Sequence, residues 1–390
     1  MIAKRPLADL LKERNRNGLT KPKKIRGNGV KMVGMGEIFS HSRISNIDME
    51  RVPVTEKELQ NYSLQPNDLL FARQSLVWEG AGKCSIVVKV DEPTVFESHL
   101  IRVRIDESIA NPLYVYYFFN STLGHKYVLT IVEQVAAAGL RSSDLVKLEI
   151  PCPDIVVQNK CASLLETLDK KIDTNTAINK NLESQAQTIF DSFYEQAENE
   201  VPFTSIIQIL GGGTPKTKEE SYWNGDIPFF TPKDVGNPYT LSTEKSITST
   251  GLENCNSRLY PINTTFVTAR GTVGKVSLAG VPMAMNQSCY ALSGNNIHPL
   301  MTYFYTLKTV QSLRHKASGA VFDAIVTSDF KSEILRCISE NDSMQLLNSI
   351  EPMMDRILQG SVENTRLTQL RDALLPRLMS GEIDVSSIEV

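Results

Sequence analysis

The octapeptide PNDLLFAR, ending at Arg73, returns as NTTFVTAR, ending at Arg270, 197 residues later, and Val33–Ile38 maps onto Phe230–Val235 at the same offset. Farther along, PLYVYYFF from Pro112 aligns with PLMTYFYT from Pro299 at an offset of 187, and Ser143-Asp144 aligns with Ser328-Asp329 at 185. The chain is written twice, and the second copy is shorter by 12 residues, mostly in the loops after the arginine. A repeat on this scale constrains the fold more than any single motif, because both copies must build the same kind of unit. Within each copy, short β-rich runs (KCSIVVKV and HLIRVRI; FFT, TTFVTA and SCYALS) alternate with turn residues. Pro112 and Pro299 stand where a first-turn proline opens a helix. Each copy is expected to begin as a mixed α and β globular domain.

After each globular part the period changes to heptads. Cys161, Leu165, Leu168, Ile172, Asn175, Asn179, Leu182, Ala186, Ile189 and Phe193 step by four and three. Adding 185 to each gives Leu346, Ile350, Met353, Ile357, Gly360, Asn364, Leu367, Arg371, Leu374 and Leu378. The two segments share one register, with Asn179 and Asn364 at equivalent seam positions, where a polar residue fixes partner and alignment. A seam this regular exceeds what packing against one domain face demands. At 1.5 Å per residue, about 40 helical residues make a rod of roughly 60 Å. The expected fold is α+β: two mixed α/β domains, residues 1–153 and 200–337, joined by long helices at 154–199 and 338–382 that pair as an antiparallel coiled coil, with a tail at 383–390. An approximate twofold axis would relate the copies.

A chain of 390 residues supports two or three domains. Its formal net charge of −3 speaks against a protein that coats nucleic acid, yet ten of the first 31 residues are Lys or Arg (Lys4, Arg5, Lys12, Arg14, Arg16, Lys21, Lys23, Lys24, Arg26, Lys31). That stripe suits a solvated arm or one that contacts phosphates. The six cysteines form no CxxC pair and the five histidines no HExxH, so neither a zinc site nor any other metal site is expected. There is no apolar run of membrane-spanning length, and MIAKRPLADLLKERNRNGL has no secretory layout, so a cytoplasmic protein without a membrane partner is expected.

Three glycines, Gly211–Gly213, open GGGTPKTKEESYWNGDIPFFTPKDV and invite comparison with a phosphate loop. Neither GGGTPKTK nor RGTVGKV, Arg270–Val276, has the GxxxxGK[ST] spacing that such a loop requires. NPYT at residues 237–240 lacks the second proline of the catalytic [DNS]PP[YF] in adenine methyltransferases and reads as a turn. Acidic residues form no recognisable metal cluster. An enzyme carrying its own methylation or cleavage site is the least supported reading.

In order along the chain, Gly212-Gly213-Thr214-Pro215, Tyr222-Trp223, Asp226-Ile227-Pro228, Thr231-Pro232-Lys233-Asp234 and Ala269-Arg270-Gly271-Thr272-Val273-Gly274-Lys275, with LLPRLMSGEIDV at Leu374–Val385, resemble specificity subunits of Type I restriction-modification systems. With the duplicated domain-plus-helix plan, the resemblance covers nearly the whole chain. The first copy departs from it: Gly18-Leu19-Thr20-Lys21-Pro22 is a loose counterpart of the glycine loop, and QSLVWEGAG replaces GTVGK after Arg73.

The resemblance implies two target-recognition domains and a non-catalytic DNA reader. It implies double-stranded DNA, two methyltransferase subunits and two ATP-driven restriction subunits as partners. No cofactor would be bound by this chain, and S-adenosylmethionine, ATP and Mg would belong to the partner subunits. Two unlike readers on a rigid spacer suit a bipartite, asymmetric target. In that role Gly211, Gly212, Gly213 and Thr214 would bring N–H groups near phosphates, and Lys216, Lys218, Lys233 and Lys275 would neutralise them. Thr272 belongs to the same surface, and Arg73 and Arg270 would anchor phosphates or read bases. The alternatives are that the glycines only make a tight turn, that Tyr222 and Trp223 are core, and that Arg270 braces a loop through a carboxylate. Leu165, Leu168, Ile172, Asn179, Leu182 and Ile189, with Ile350, Ile357, Asn364, Leu367, Leu374 and Leu378, would form the helix seam and partner scaffold. A coiled-coil scaffold without sequence-specific DNA reading is the competing function.

Overall fold

The run that ends at Arg73 is a strand, Leu69–Ala72, buried at all four positions, and so is its repeat, Thr265–Thr268. A computed structural model of the chain describes residues 2–134, 138–236, 238–316 and 324–385. Two compact units emerge: residues 1–171 with 366–390, and residues 172–365. Each unit therefore contains a globular domain and one end of each long helix.

In the first unit Leu69–Ala72 is the centre of a five-stranded sheet ordered Arg16–Asn17, Leu100–Val103, Leu69–Ala72, Cys84–Val87, Arg43–Ile44. All neighbours are antiparallel except the last pair, which is parallel. In the second unit the order is Ile207–Gly211, Cys289–Gly294, Thr265–Thr268, Val276–Ala279, Tyr239–Thr240, again antiparallel until a parallel last pair. A three-stranded sheet also recurs. Val30–Val33 lies antiparallel to Glu50–Val52 and parallel to Thr94–Phe96. Trp223–Phe230 takes the same place between Ser246–Ile247 and Ala284–Met285. Two unrelated sequences would not reproduce this mixture of senses, so the repeat read from the sequence is a repeat of topology. The first unit adds Gln74–Ser75, Ala138–Gly139 and Glu133–Gln134 as another small sheet, built partly from its longer loop after Arg73.

Behind the first sheet packs the helix Pro112–Asn120, opened by Pro112 and capped by Asn111, whose side-chain oxygen accepts from the Leu113 and Tyr114 N–H groups. Its repeat, Pro299–Lys316, is entered through His298, whose Nδ1 accepts from the N–H of Leu300. Both helices bury aromatic faces: Tyr114, Tyr117 and Phe118 in one unit, Tyr303, Phe304 and Tyr305 in the other.

The long helices are Ile155–Gln196 and Glu340–Met379, slightly shorter than the 154–199 and 338–382 expected. Their ends have local causes. Residues 199–202 leave the first helix to pair with Ile334–Cys337. The second starts after Ser339, whose hydroxyl accepts from the Asp342 N–H, and stops before Gly381, whose φ of 76° is left-handed. Every expected seam residue is buried or half-buried: Leu165, Asn179, Ile350, Ile357 and Leu378 fully, and Leu168, Ile172, Leu182, Ile189, Asn364, Leu367 and Leu374 partly. The heptads did not reveal Ala162, Asp169, Phe190, Met354, Leu375 and Met379, which are also buried, because each lies beside the seam toward a globular domain.

Polar contacts fix the helix segments within each unit. In the second, the Asn179 amide donates to the Ile357 carbonyl (3.3 Å) and Ser361 Oγ (3.2 Å), while the Asn364 amide donates to the Ile172 carbonyl (3.4 Å) and Thr176 Oγ1 (3.2 Å). In the first, buried Asp169 accepts from Arg371 (2.8 Å) and from the Tyr117 hydroxyl (2.7 Å), with Arg43 at 3.7 Å. Burial, reinforced by the Asp169 charge, pushes the Tyr117 hydroxyl pKa far up, so it stays a donor. By the offsets of the repeat, Asp169, Arg371 and Tyr117 correspond to Met354, Ala186 and Phe304. One copy holds an ionic cluster where the other is apolar.

Among the described residues no helix is long and apolar enough to cross a membrane. No group of three or more His, Cys, Asp or Glu that could hold a metal ion occurs among them either.

Candidate nucleic-acid interface

Four loops meet at one edge of the second unit: 212–216, 231–234, 269–275 and 286–288. Backbone bonds knit them together, with Gly213 N–H donating to Met285 O (3.2 Å), Asn286 N–H to Phe230 O (3.0 Å) and Arg270 N–H to Ser288 O (3.3 Å). Side chains complete the joint: Thr214 Oγ1 donates to Gln287 Oε1, and Thr272 Oγ1 donates to Pro232 O (3.1 Å). Asp234 is spent inside the edge, accepting from the Thr231 N–H (2.8 Å) and hydroxyl (2.6 Å).

The same frame stands in the first unit. Leu19 N–H donates to Phe96 O (2.8 Å), Glu97 N–H to Val33 O (2.9 Å) and Arg73 N–H to His99 O (2.8 Å). Glu37 takes the place of Asp234, accepting from Gly34 N–H (2.8 Å), and Glu97 accepts from Met35 N–H (2.6 Å). Gly18 proves to be the counterpart of Gly212: a Cβ would lie 2.3 Å from Phe96 O at the first and 2.2 Å from Asn286 O at the second. Glycine is required at both for close backbone approach.

Thr214, Lys233, Arg270 and Thr272 are thereby brought onto one edge, with Lys275 closing the same loop. Arg270, Lys275, Lys216 and Lys218 are exposed, and their charged ends make no ion pair among the described residues. Arg270 therefore does not brace its loop through a described carboxylate. Lys233 is 81% exposed and only 3.8 Å from Glu244. Lys216 and Lys218 lie on the turn leading to Trp223–Phe230, where the Trp223 indole donates to Lys216 O (3.2 Å) and stacks edge-on to Phe229. Trp223 is thus a packing residue. The N–H of Gly213 is already engaged, so of the glycine N–H groups it is not one that a phosphate could take. Asn237, at the start of NPYT, lies outside the described residues; Tyr239 and Thr240 form a buried edge strand.

The basic stripe is partly neutralised: Lys21 pairs with Glu58 (2.9 Å), Arg26 with Glu50 (2.7 Å) and Lys31 with Glu92 (3.2 Å). The Lys21 hydrogen bond in turn holds the Glu58 pKa below the usual carboxylate range. Lys23 and Lys24, on the exposed turn between Pro22 and Arg26, keep side chains without a described partner. Charge counting named both among the ten basic residues, without showing which of the ten stay unpaired. Missed altogether were His99 and Gln287, whose positions opposite the arginine strand and the glycine loop exist only once the sheets are formed.

The chain resembles the Type I restriction enzyme HindI specificity subunit of Haemophilus influenzae, 22% identical over 428 residues covering 88% of this chain and 91% of that one. It is 28% identical to the MjaIX specificity subunit of Methanocaldococcus jannaschii over 171 residues, a match spanning 42% of this chain and 40% of that protein. The fold is similar to a crystal structure of a Type I restriction-modification system S subunit from M. genitalium, with a TM-score of 0.60 at 13% identity over 97% of this chain and 96% of that one. The model of the Type I restriction modification DNA specificity domain matches residues 2–184 and again 198–336, one copy for each half of the repeat. The chain belongs to the Type I restriction modification DNA specificity domain family.

Proposed function

We propose that this chain is the non-catalytic DNA-recognition subunit of a Type I restriction-modification complex, reading a bipartite, asymmetric target with one globular domain per half-site. The carrying observation is the four-loop edge, built twice on the same hydrogen bonds but dressed differently. Lys233, Thr272 and Gln287 in one copy stand where Gly36, a longer loop and Ser98 stand in the other. A shared frame with unlike side chains is what two different half-sites require, since phosphate contacts position a protein and side chains at base edges specify sequence.

The long helices act as an antiparallel coiled-coil spacer and as the scaffold for partner subunits. The asparagine contacts support this: Asn179 to Ile357 and Ser361, and Asn364 to Ile172 and Thr176, are the same set of bonds with 185 added or subtracted. Bonds that exchange in this way are what an approximate twofold axis would produce, and two similar surfaces would let one chain hold two copies of a partner. Two methyltransferase subunits would bind S-adenosylmethionine, and two restriction subunits would bind ATP and Mg. Selection from random duplexes, using the chain assembled with its methyltransferase subunits, tests the reading. Enrichment of two short sequences separated by an unread gap of fixed length supports it; uniform recovery of all duplexes contradicts it.

A further inference from the structure

The edge of the first unit carries a feature that its repeat lacks. Leu76, three residues beyond Arg73, is 98% exposed, and Val77 beside it is 59% exposed. With Met35 and Phe39, Leu76 walls an open cleft of about 480 Å³ whose rim is Gln74, Ser75 and His99. The cleft lies where the loops after Val30–Val33, Leu69–Ala72 and Thr94–Phe96 converge, the place that Lys233, Thr272 and Ser288 occupy in the second unit. Lys83 donates to Phe39 O (2.7 Å) and sits 5.3 Å from the Phe39 ring centre, while the nearby carboxylates are engaged: Glu37 accepts from Gly34 N–H, and Glu97 accepts from Met35 N–H and lies 4.0 Å from His99 Nδ1.

An aliphatic tip rimmed by an amide and an imidazole, with Arg73 alongside, has one apolar target in the major groove: the 5-methyl group of thymine, which no other unmodified base presents. Resting on the DNA-reading role above, we propose that this cleft receives a thymine methyl in the half-site of the first domain, with Leu76 closing over it. Because Leu76 supports no core, changing it leaves the fold intact.

The experiment replaces each thymine of the selected target, one at a time, by deoxyuridine, which removes only the methyl group. Binding is measured for the assembled complex with the native chain and with Leu76→Ala. One thymine is expected at which deoxyuridine weakens binding about fourfold, the effect of burying a group of methylene size. The Leu76→Ala complex should bind thymine and deoxyuridine at that position equally. If no deoxyuridine weakens binding, or if the loss persists in Leu76→Ala, the proposal is overturned while the reader role stands. Absence of any sequence-selective binding by the native complex overturns both.

Discussion

Single residues divide into those that shape the four-loop edge and those that face outward from it. Gly212→Ala places a Cβ 2.2 Å from a backbone oxygen, whereas at Gly211 nothing lies within 4 Å. Gly212→Ala should therefore lower stability by about 1–3 kcal/mol, as overpacking does, and Gly211→Ala should leave the urea midpoint unchanged. Equal effects would mean that the glycines serve something other than close packing. At the exposed turn, Lys23→Ala with Lys24→Ala should weaken binding to all duplexes alike and reduce the salt slope of log K by about 2. A change in preferred sequence instead would make them base readers. The sequence made Arg73 and Arg270 visible because they end the repeated octapeptide, and it exposed the ten basic residues by simple count. Which of those cations stay unpaired depends on Glu50, Glu58 and Glu92, which are remote in sequence and adjacent only after folding. The thiols follow the same logic: burial pushes Cys289 up to about 12 and raises Cys84 well above the usual thiol value. Alkylation at pH 8 should reach the half-buried Cys255 and Cys337 before either; early labelling of Cys289 would contradict the packing around it.

At the scale of elements, heptad spacing identified both helices and their common register, since the seam is a local periodic property. It missed the second buried stripe, which is dictated by globular domains whose position periodicity does not encode. Asp169 is the instructive case: it looks like a solvated surface residue but is 4% exposed, held by Arg371 and Tyr117. Arg371→Ala should cost about 2 kcal/mol, below the loss usual for a fully buried pair because Arg371 is 26% exposed and Tyr117 remains. Transplanting the apolar trio of the other copy, Asp169→Met with Arg371→Ala and Tyr117→Phe, should recover most of that loss once Arg43, 3.7 Å from Asp169 and nearly buried, is changed with it to Met. Replacing a whole buried ion cluster by packed apolar groups is often neutral or stabilising, whereas removing one partner alone is costly. If the fourfold variant were less stable than Arg371→Ala alone, the two copies would differ in more than these side chains. The ionic cluster would then be integral to how the first unit packs.

For the whole molecule, the proposed arrangement of two readers on a helical spacer implies that distance and sequence are set by different parts. A heptad inserted in register near Asn179 and Asn364 in both helices adds about 10 Å of rod, roughly three base pairs of duplex. The half-sites should persist while the preferred gap lengthens, with weaker binding because the second half-site also rotates about the DNA axis. Unchanged spacing at full affinity would reduce the helices to docking surfaces. The chain alone should neither hydrolyse ATP nor transfer methyl groups, and turnover abolished by a substitution in this chain would sink that expectation. The most direct test of independent reading is methylome sequencing of cells that supply the partner subunits together with either the native chain or one whose residues 1–153 come from a relative. The account predicts a two-part methylated target in which one half changes and the other half stays the same. Simultaneous change of both halves would contradict it.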